Sequence, residues 1–61
     1  MPFVNVKMLE GRTEEQKRKL VEAITDAMVA ICGAKAEGTM CVIEDIARDH
    51  WGRNGKLLSD Q

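Results

Sequence analysis

Leu9-Glu10-Gly11-Arg12-Thr13-Glu14-Glu15-Gln16-Lys17, residues 9–17, is the stretch in which an extended segment changes into a helix. Gly11 supplies a residue that can adopt unusual backbone angles at the turn. Thr13 and Gln16 have the spacing of a capping box, in which each side chain satisfies a free backbone N–H of the other residue. The two glutamates that follow Thr13 suit the positive end of the helix dipole. This stretch therefore predicts a helix that begins at about Glu14.

Strands are predicted on both sides of this helix. Residues 2–9 and 38–46 alternate in the manner of strands, and both faces of each segment carry apolar side chains. The helix is expected to end at Cys32, because Gly33 is a suitable C-terminal stop. Its predicted apolar stripe consists of Leu20, Ile24, Ala27, Met28 and Ile31. A strand, a helix and a strand in this order form a β-α-β unit, whose strands pair in parallel through a right-handed crossover.

The tail from Ala47 to Gln61 predicts a short hairpin. Asn54-Gly55 is a strong signal for a two-residue hairpin turn. Residues 56–58 are then expected to form a short returning strand that pairs across a subunit boundary. The predicted fold class is α+β: a β-α-β subunit with parallel strands plus a short C-terminal hairpin, in a single domain of residues 1–61.

The size of the chain predicts self-association. A chain of 61 residues buries only about 60% of its unfolded surface and is marginal alone. One helix covers one face of a two-stranded sheet, so the other face and the strand edges stay open unless further subunits cover them. We therefore expect an oligomer with a shared sheet core.

Composition argues against several other classes of protein. The two cysteines, Cys32 and Cys41, are expected to be packed thiols rather than a disulfide, and with His50 they lack the spacing of metal ligands. The net charge of −1, without a basic stripe, predicts no nucleic-acid partner. The longest apolar run, residues 27–32, is far short of the roughly 20 residues that span a membrane. With no secretory signal pattern, the expected location is the cytoplasm.

Pro2 follows the initiator methionine directly and is the candidate catalytic residue. Removal of Met1 would leave the proline nitrogen as a free secondary amine. A generic α-amino group has a pKa of roughly 7.7–8.0, against about 10.4 for lysine. Apolar surroundings or a nearby cation lower such a pKa further, because they disfavour the charged form. Pro2 is therefore a candidate general base at neutral pH.

Together, the N-terminal proline, the stretch at residues 9–17 and the aromatic-glycine turn Trp51-Gly52 resemble the 4-oxalocrotonate tautomerase family, the small-subunit branch of the tautomerase superfamily. The resemblance covers essentially the whole chain. It implies a homohexamer, built as a trimer of dimers, with sites at subunit boundaries. It also implies that the enzyme needs no cofactor.

The activity that the resemblance implies is interconversion of the enol (2-hydroxydienoate) and keto forms of small unsaturated 2-keto acids, with the proline amine as base. By the same resemblance, Arg12 binds the far carboxylate of the substrate. Trp51 is the pocket aromatic that keeps the site dry, and Leu9 also contacts the substrate. The alternatives are a related proline-dependent hydratase or decarboxylase, or an oligomeric binding protein with an idle amine.

The chain departs from the family pattern at Met40. The best-known members carry a second arginine at this position in the second strand, where it polarises the carbonyl of the 2-keto acid. Methionine carries no charge and cannot do this. Arg53 is therefore an auxiliary candidate cation, as is Arg48. Arg53 also occupies the position of the glutamate that activates water in related chloroacrylate dehalogenases, which argues against hydrolytic dehalogenation.

Overall fold

The computed structural model describes all 61 residues. Four strands and one helix follow one another along the chain: β1 (Phe3–Leu9), α1 (Glu14–Cys32), β2 (Met40–Ile46), β3 (Gly52–Arg53) and β4 (Lys56–Leu57). Short 3-10 turns occupy Ala36–Gly38, Arg48–His50 and Leu58–Asp60. β1 and β2 pair in parallel on either side of the helical crossover, and β3 and β4 pair as an antiparallel hairpin. The predicted fold class is confirmed.

Both ends of α1 lie where the sequence predicts them. The Thr13 hydroxyl accepts a hydrogen bond from the backbone N–H of Gln16 at 3.1 Å, and the Gln16 side chain accepts one from the Thr13 N–H at 2.9 Å. This is the predicted capping box. At the other end, Gly33 adopts a left-handed conformation with φ 70°, which lets its N–H bond the carbonyl of Val29 at 3.2 Å. Local signals thus determine the length of the helix.

One face of the β1–β2 sheet is covered by α1. The register pairs Val4 with Cys41 and Val6 with Ile43, and all four side chains are half-buried. Further along this face, Lys17 of the helix forms an ion pair with Asp45 of β2. The helix is therefore attached to the sheet by apolar packing and, near its first turn, by one ion pair.

The opposite face of the sheet has no cover within the chain. Phe3 is 61% exposed and its register partner Met40 is 54% exposed, and Val42 also lies open. Beyond these apolar residues, Lys7 and Glu44 form an ion pair at 3.5 Å. This uncovered sheet face is thus apolar and exposed at the N-terminal end of the strands and charged in the middle, and it ends in the half-buried pair Leu9 and Ile46.

Two residues of the predicted apolar stripe of the helix are exposed instead of packed against the sheet. Leu20, Ile24 and Met28 are half-buried against the sheet as expected, but Ala27 and Ile31 are exposed. Ile31 is 81% exposed, since the last turn of α1 extends beyond the two short strands. The positions that complete the buried face are instead Val21 and Thr25.

The second strand begins later than predicted. Gly38 lies in a 3-10 turn, where its N–H bonds the carbonyl of Lys35 at 3.0 Å, and the Thr39 N–H bonds the carbonyl of Ala36 at 3.2 Å. These two N–H groups are therefore occupied by the turn rather than by a strand partner. The ladder starts with Met40, whose N–H bonds the Pro2 carbonyl at 3.0 Å.

The C-terminal hairpin has the predicted turn. Asn54 and Gly55 both have positive φ, 57° and 77°, as a two-residue turn of this type requires. The turn brings β3 and β4 together, so β4 pairs with β3 along one of its edges. Pairing of the returning strand across a subunit boundary, through its other edge, stays a prediction. Leu58, beyond β4, lies in a 3-10 turn rather than in the strand.

A single chain buries almost no residue completely. Leu58 is the one buried residue among 61, at 8% exposure. The chain exposes 4715 Å², whereas a compact monomer of its 6.8 kDa would expose about 3,950 Å². Its radius of gyration is 14.6 Å, against about 10.5 Å for a compact chain of this length. The isolated subunit therefore lacks the core that would stabilise it.

None of the helices is both long enough and apolar enough to cross a membrane.

We expect this protein to sediment at micromolar concentration as a species several times larger than 6.8 kDa. Val42→Lys should weaken that assembly, because it places a charge on the apolar part of the uncovered sheet face. Ala23→Lys is the matched control, since Ala23 lies exposed among charged helix residues. Sedimentation velocity checks both. A folded monomer of the unaltered chain would contradict the expectation.

Candidate active site

Pro2 lies immediately before β1 and is half-buried. Its carbonyl accepts the hydrogen bond from the Met40 N–H, so the residue is held at the N-terminal end of the sheet. Met1 precedes it and is 94% exposed, so the bond between the two residues lies at the surface of the single chain. Phe3 follows Pro2 in the chain and pairs with Met40 across the ladder, and both of these side chains are apolar and exposed. The end of the sheet at which Pro2 lies therefore exposes apolar side chains.

Leu9 and Arg12 lie together at the opposite end of β1. The Glu10 N–H bonds the Ile46 carbonyl at 2.9 Å and closes this end of the sheet. Gly11, with φ 123°, then turns the chain toward the helix. The Arg12 guanidinium donates to the Leu9 carbonyl at 3.2 Å and takes part in no ion pair. Arg12 is thus an exposed cation whose charge no carboxylate of its own chain neutralises.

Trp51 and Arg53 lie in the hairpin segment. Trp51 is half-buried, and its carbonyl accepts a hydrogen bond at 2.9 Å from the N–H of Leu58, the one buried residue of the chain. Arg53 is exposed at the end of β3, directly before the turn. The chain enters this segment from the Ile46 end of β2, which is the Leu9 end of the sheet.

A single chain does not bring all the predicted site residues together. Pro2 and Leu9 are separated by the length of β1, about 23 Å at the rise of a parallel strand. No small molecule bridges that distance. A site that contains both Pro2 and Arg12 therefore requires at least two copies of the chain, with the N-terminal end of one sheet close to the turn of another.

No concavity of the single chain contains a predicted site residue. The one depression in the surface lies on α1 and is lined by Lys19, Glu22, Ala23 and Asp26. No three His, Cys, Asp or Glu side chains converge in an arrangement that could hold a metal ion.

Sequence reasoning missed one charged neighbour of the candidate site. Lys56 lies directly opposite Arg53 in the hairpin. The signal was present in the sequence, because a two-residue Asn-Gly turn fixes the residues on either side of it as cross-strand partners.

Comparison with known proteins gives consistent results over the full length of the chain. A family profile described as "Tautomerase enzyme" matches residues 2–61. The 2-hydroxymuconate tautomerase of Bacillus subtilis (strain 168) is 53% identical over 60 residues, which cover 98% of this chain and 97% of the relative. The likeness therefore does not depend on one motif.

Solved structures agree with this fold. The crystal structure of YwhB, a homologue of 4-oxalocrotonate tautomerase, has a TM-score of 0.95 at 52% identity and covers 98% of both chains. A heterohexameric 4-oxalocrotonate tautomerase from Chloroflexus aurantiacus J-10-fl has a TM-score of 0.91 at 28% identity, with 98% and 97% of the chains covered. The chain therefore belongs to the tautomerase family and is an isomerase of the 4-oxalocrotonate tautomerase kind.

Proposed function

We propose that this protein, once Met1 is removed, interconverts the enol and keto forms of small unsaturated 2-keto acids with the Pro2 amine as general base. The observation that carries the proposal is the position of Pro2 directly behind Met1 in a chain that matches tautomerases over its whole length. The name of the 2-hydroxymuconate tautomerase relative supports a 2-hydroxydienoate as substrate.

The proposed reaction is a proton transfer with no net change in composition. The neutral proline nitrogen takes the proton from the 2-hydroxyl of the enol, and the resulting ammonium returns a proton to a carbon of the conjugated chain. The products are the ketone and the regenerated amine. The reaction needs no electron acceptor and no cofactor, because the proline nitrogen accepts a proton and then donates a proton back.

Each remaining site residue has a proposed part in binding. Arg12 binds the far carboxylate of the substrate, for which its unpaired guanidinium is suited. Leu9 and Trp51 supply apolar contacts that exclude water from the base. Arg53 is the auxiliary cation, since Met40 beside the proline carries no charge.

We also propose that the active assembly is a homohexamer in the cytoplasm. The heterohexameric relative from Chloroflexus aurantiacus supports the number of six subunits, and the large surface that the single chain leaves open supports assembly. Two free cysteines, Cys32 and Cys41, are compatible with a reducing compartment.

Processing of the N-terminus should decide the activity. In a chain that keeps Met1, the Pro2 nitrogen is an amide without a usable lone pair, so we expect almost no turnover of 2-hydroxymuconate or phenylenolpyruvate. The clipped form should be active, and its rate should rise with pH through the pKa of the amine, because only the neutral form accepts a proton. Separation of the two forms by mass, followed by assay of each, measures this.

Pro2→Ala provides the internal comparison for that experiment. Positioned general-base catalysis contributes roughly 10²–10⁴-fold, so the variant should keep a small part of the activity through its primary amine. Equal activity of clipped and unclipped protein would remove the proline from the mechanism.

Arg12→Ala should chiefly weaken binding of dicarboxylates. A hydrogen bond to a charged group contributes roughly 1.5–3 kcal/mol, so the KM for 2-hydroxymuconate should rise by about one to two decades. Phenylenolpyruvate has no far carboxylate, and its KM should change little. Steady-state kinetics with both substrates checks the assignment, which an unchanged KM for the dicarboxylate in a normally assembled variant would reject.

Mixed oligomers should show that the site is shared between chains. Because Pro2 and Arg12 lie at opposite ends of β1, a mixture of Pro2→Ala and Arg12→Ala subunits contains some sites in which both residues are intact. Co-refolded mixtures, assayed with 2-hydroxymuconate below its KM, should therefore exceed the mean activity of the two parents. Activity equal to that mean would place both residues of a site in one chain.

A further inference from the structure

The hairpin holds two like charges directly opposite each other. Arg53 and Lys56 are cross-strand partners on either side of the Asn54-Gly55 turn, and both are exposed. Like charges in this arrangement destabilise a hairpin. Neither side chain takes part in an ion pair, so no carboxylate of the chain offsets the repulsion.

These two cations share a face of the hairpin with Trp51 and Leu58. Side chains of directly opposed residues project to the same side, and so do those two positions apart along a strand. The Leu58 N–H bonds the Trp51 carbonyl at 2.9 Å, so the pairing continues from the turn to these two residues. Leu58 is buried within the chain, so this face of the hairpin presents the half-buried indole of Trp51 at its base and two cations at its tip. Such a face suits a ligand with an apolar body and an anionic end.

We propose that Arg53 and Lys56 together bind the carboxylate that lies next to the 2-hydroxyl or 2-keto group of the substrate. This inference rests on the proposed function and names the residues that hold the reacting end of the molecule. The guanidinium presents a planar fork to the carboxylate, and the lysine ammonium adds a point charge from the facing strand.

We assign Arg53 and Lys56 to the carboxylate beside the keto group because Arg12 already has the far carboxylate as its proposed partner. Arg12 is the proposed partner of the far carboxylate, which only dicarboxylate substrates have. Every 2-keto acid carries the carboxylate beside the keto group, and Met40 offers it no charge. Lys56 is therefore the residue whose loss should affect monocarboxylates and dicarboxylates alike.

Charge reversal at Lys56 tests this without destabilising the hairpin. Lys56→Glu places a carboxylate opposite Arg53, an arrangement that favours the antiparallel pair, so the variant should melt no lower than the unaltered protein. Lys56→Ala removes the charge alone. Lys19→Glu is the matched control, because it makes the same change in charge at an exposed helix residue that forms no ion pair.

Binding can be measured without turnover. Trp51 is the only tryptophan of the chain and lies on the proposed binding face, so its fluorescence reports occupancy. We expect 2-oxoadipate, a saturated 2-keto diacid, to change this signal in the assembled, clipped protein. Lys56→Ala should raise the Kd by roughly three- to tenfold, and Lys56→Glu should raise it further, while Lys19→Glu leaves it unchanged.

Kinetics supplies the second readout. Lys56→Ala should raise the KM for phenylenolpyruvate and for 2-hydroxymuconate by similar factors, in contrast to Arg12→Ala, which should affect only the latter. Unchanged Kd and KM values in an active Lys56→Glu variant would overturn the inference and leave the proposed function intact. Dissociation of the assembly in Lys56→Glu but not in Lys19→Glu would also overturn it, because the cations would then serve an interface between subunits.

Failure of the proposed tautomerase function can be distinguished from failure of the carboxylate site. If the clipped protein turns over neither substrate, the tautomerase proposal fails, yet a fluorescence change with 2-oxoadipate that depends on Lys56 still supports the carboxylate site. No fluorescence change in the unaltered protein would overturn the site itself.

Discussion

The packing of one helix on one face of a two-stranded sheet constrains everything else in this protein. α1 covers Val4, Val6, Cys41 and Ile43 on one face, whereas Phe3, Met40 and Val42 on the other face lie exposed. Burial of apolar surface is the main favourable term in folding, and each side chain left exposed forgoes it. With Leu58 as the only buried residue, the subunit resembles one segment of a larger core more than a finished globule.

The same constraint connects assembly to chemistry. The proposed base lies at one end of β1 and the proposed carboxylate-binding arginine lies at the other. Each chain therefore contributes its base to one site and its arginine to another. In the proposed assembly, the subunits that cover the exposed sheet face also bring the turn of one chain close to the proline of another. In such an arrangement stability and activity have a common origin, and selection for one maintains the other.

Local signals in the sequence predicted the local structure well. The hydroxyl-to-glutamine spacing at Thr13 and Gln16 fixed the start of the helix, and Gly33 fixed its end, because each satisfies backbone groups within a few residues. Asn54-Gly55 fixed the hairpin in the same way. Periodicity was less reliable, since Ile31 continues the apolar pattern past the point at which the strands stop. The separation of Pro2 from Arg12 depends on how elements pack in three dimensions, and no spacing along the chain encodes it.

The hydrogen bond between Pro2 and Met40 has one more consequence. Proline has no backbone N–H, so the sheet is joined to this residue through its carbonyl alone. Because the nitrogen contributes nothing to the ladder, the first rung keeps the same donor and acceptor whether that nitrogen is an amide, an ammonium or a neutral amine. Cleavage of the first peptide bond, and each later gain or loss of a proton, can therefore proceed without rearranging the strand. In Pro2 the carbonyl group thus holds the strand in place, while the nitrogen, one carbon away, stays available for proton transfer.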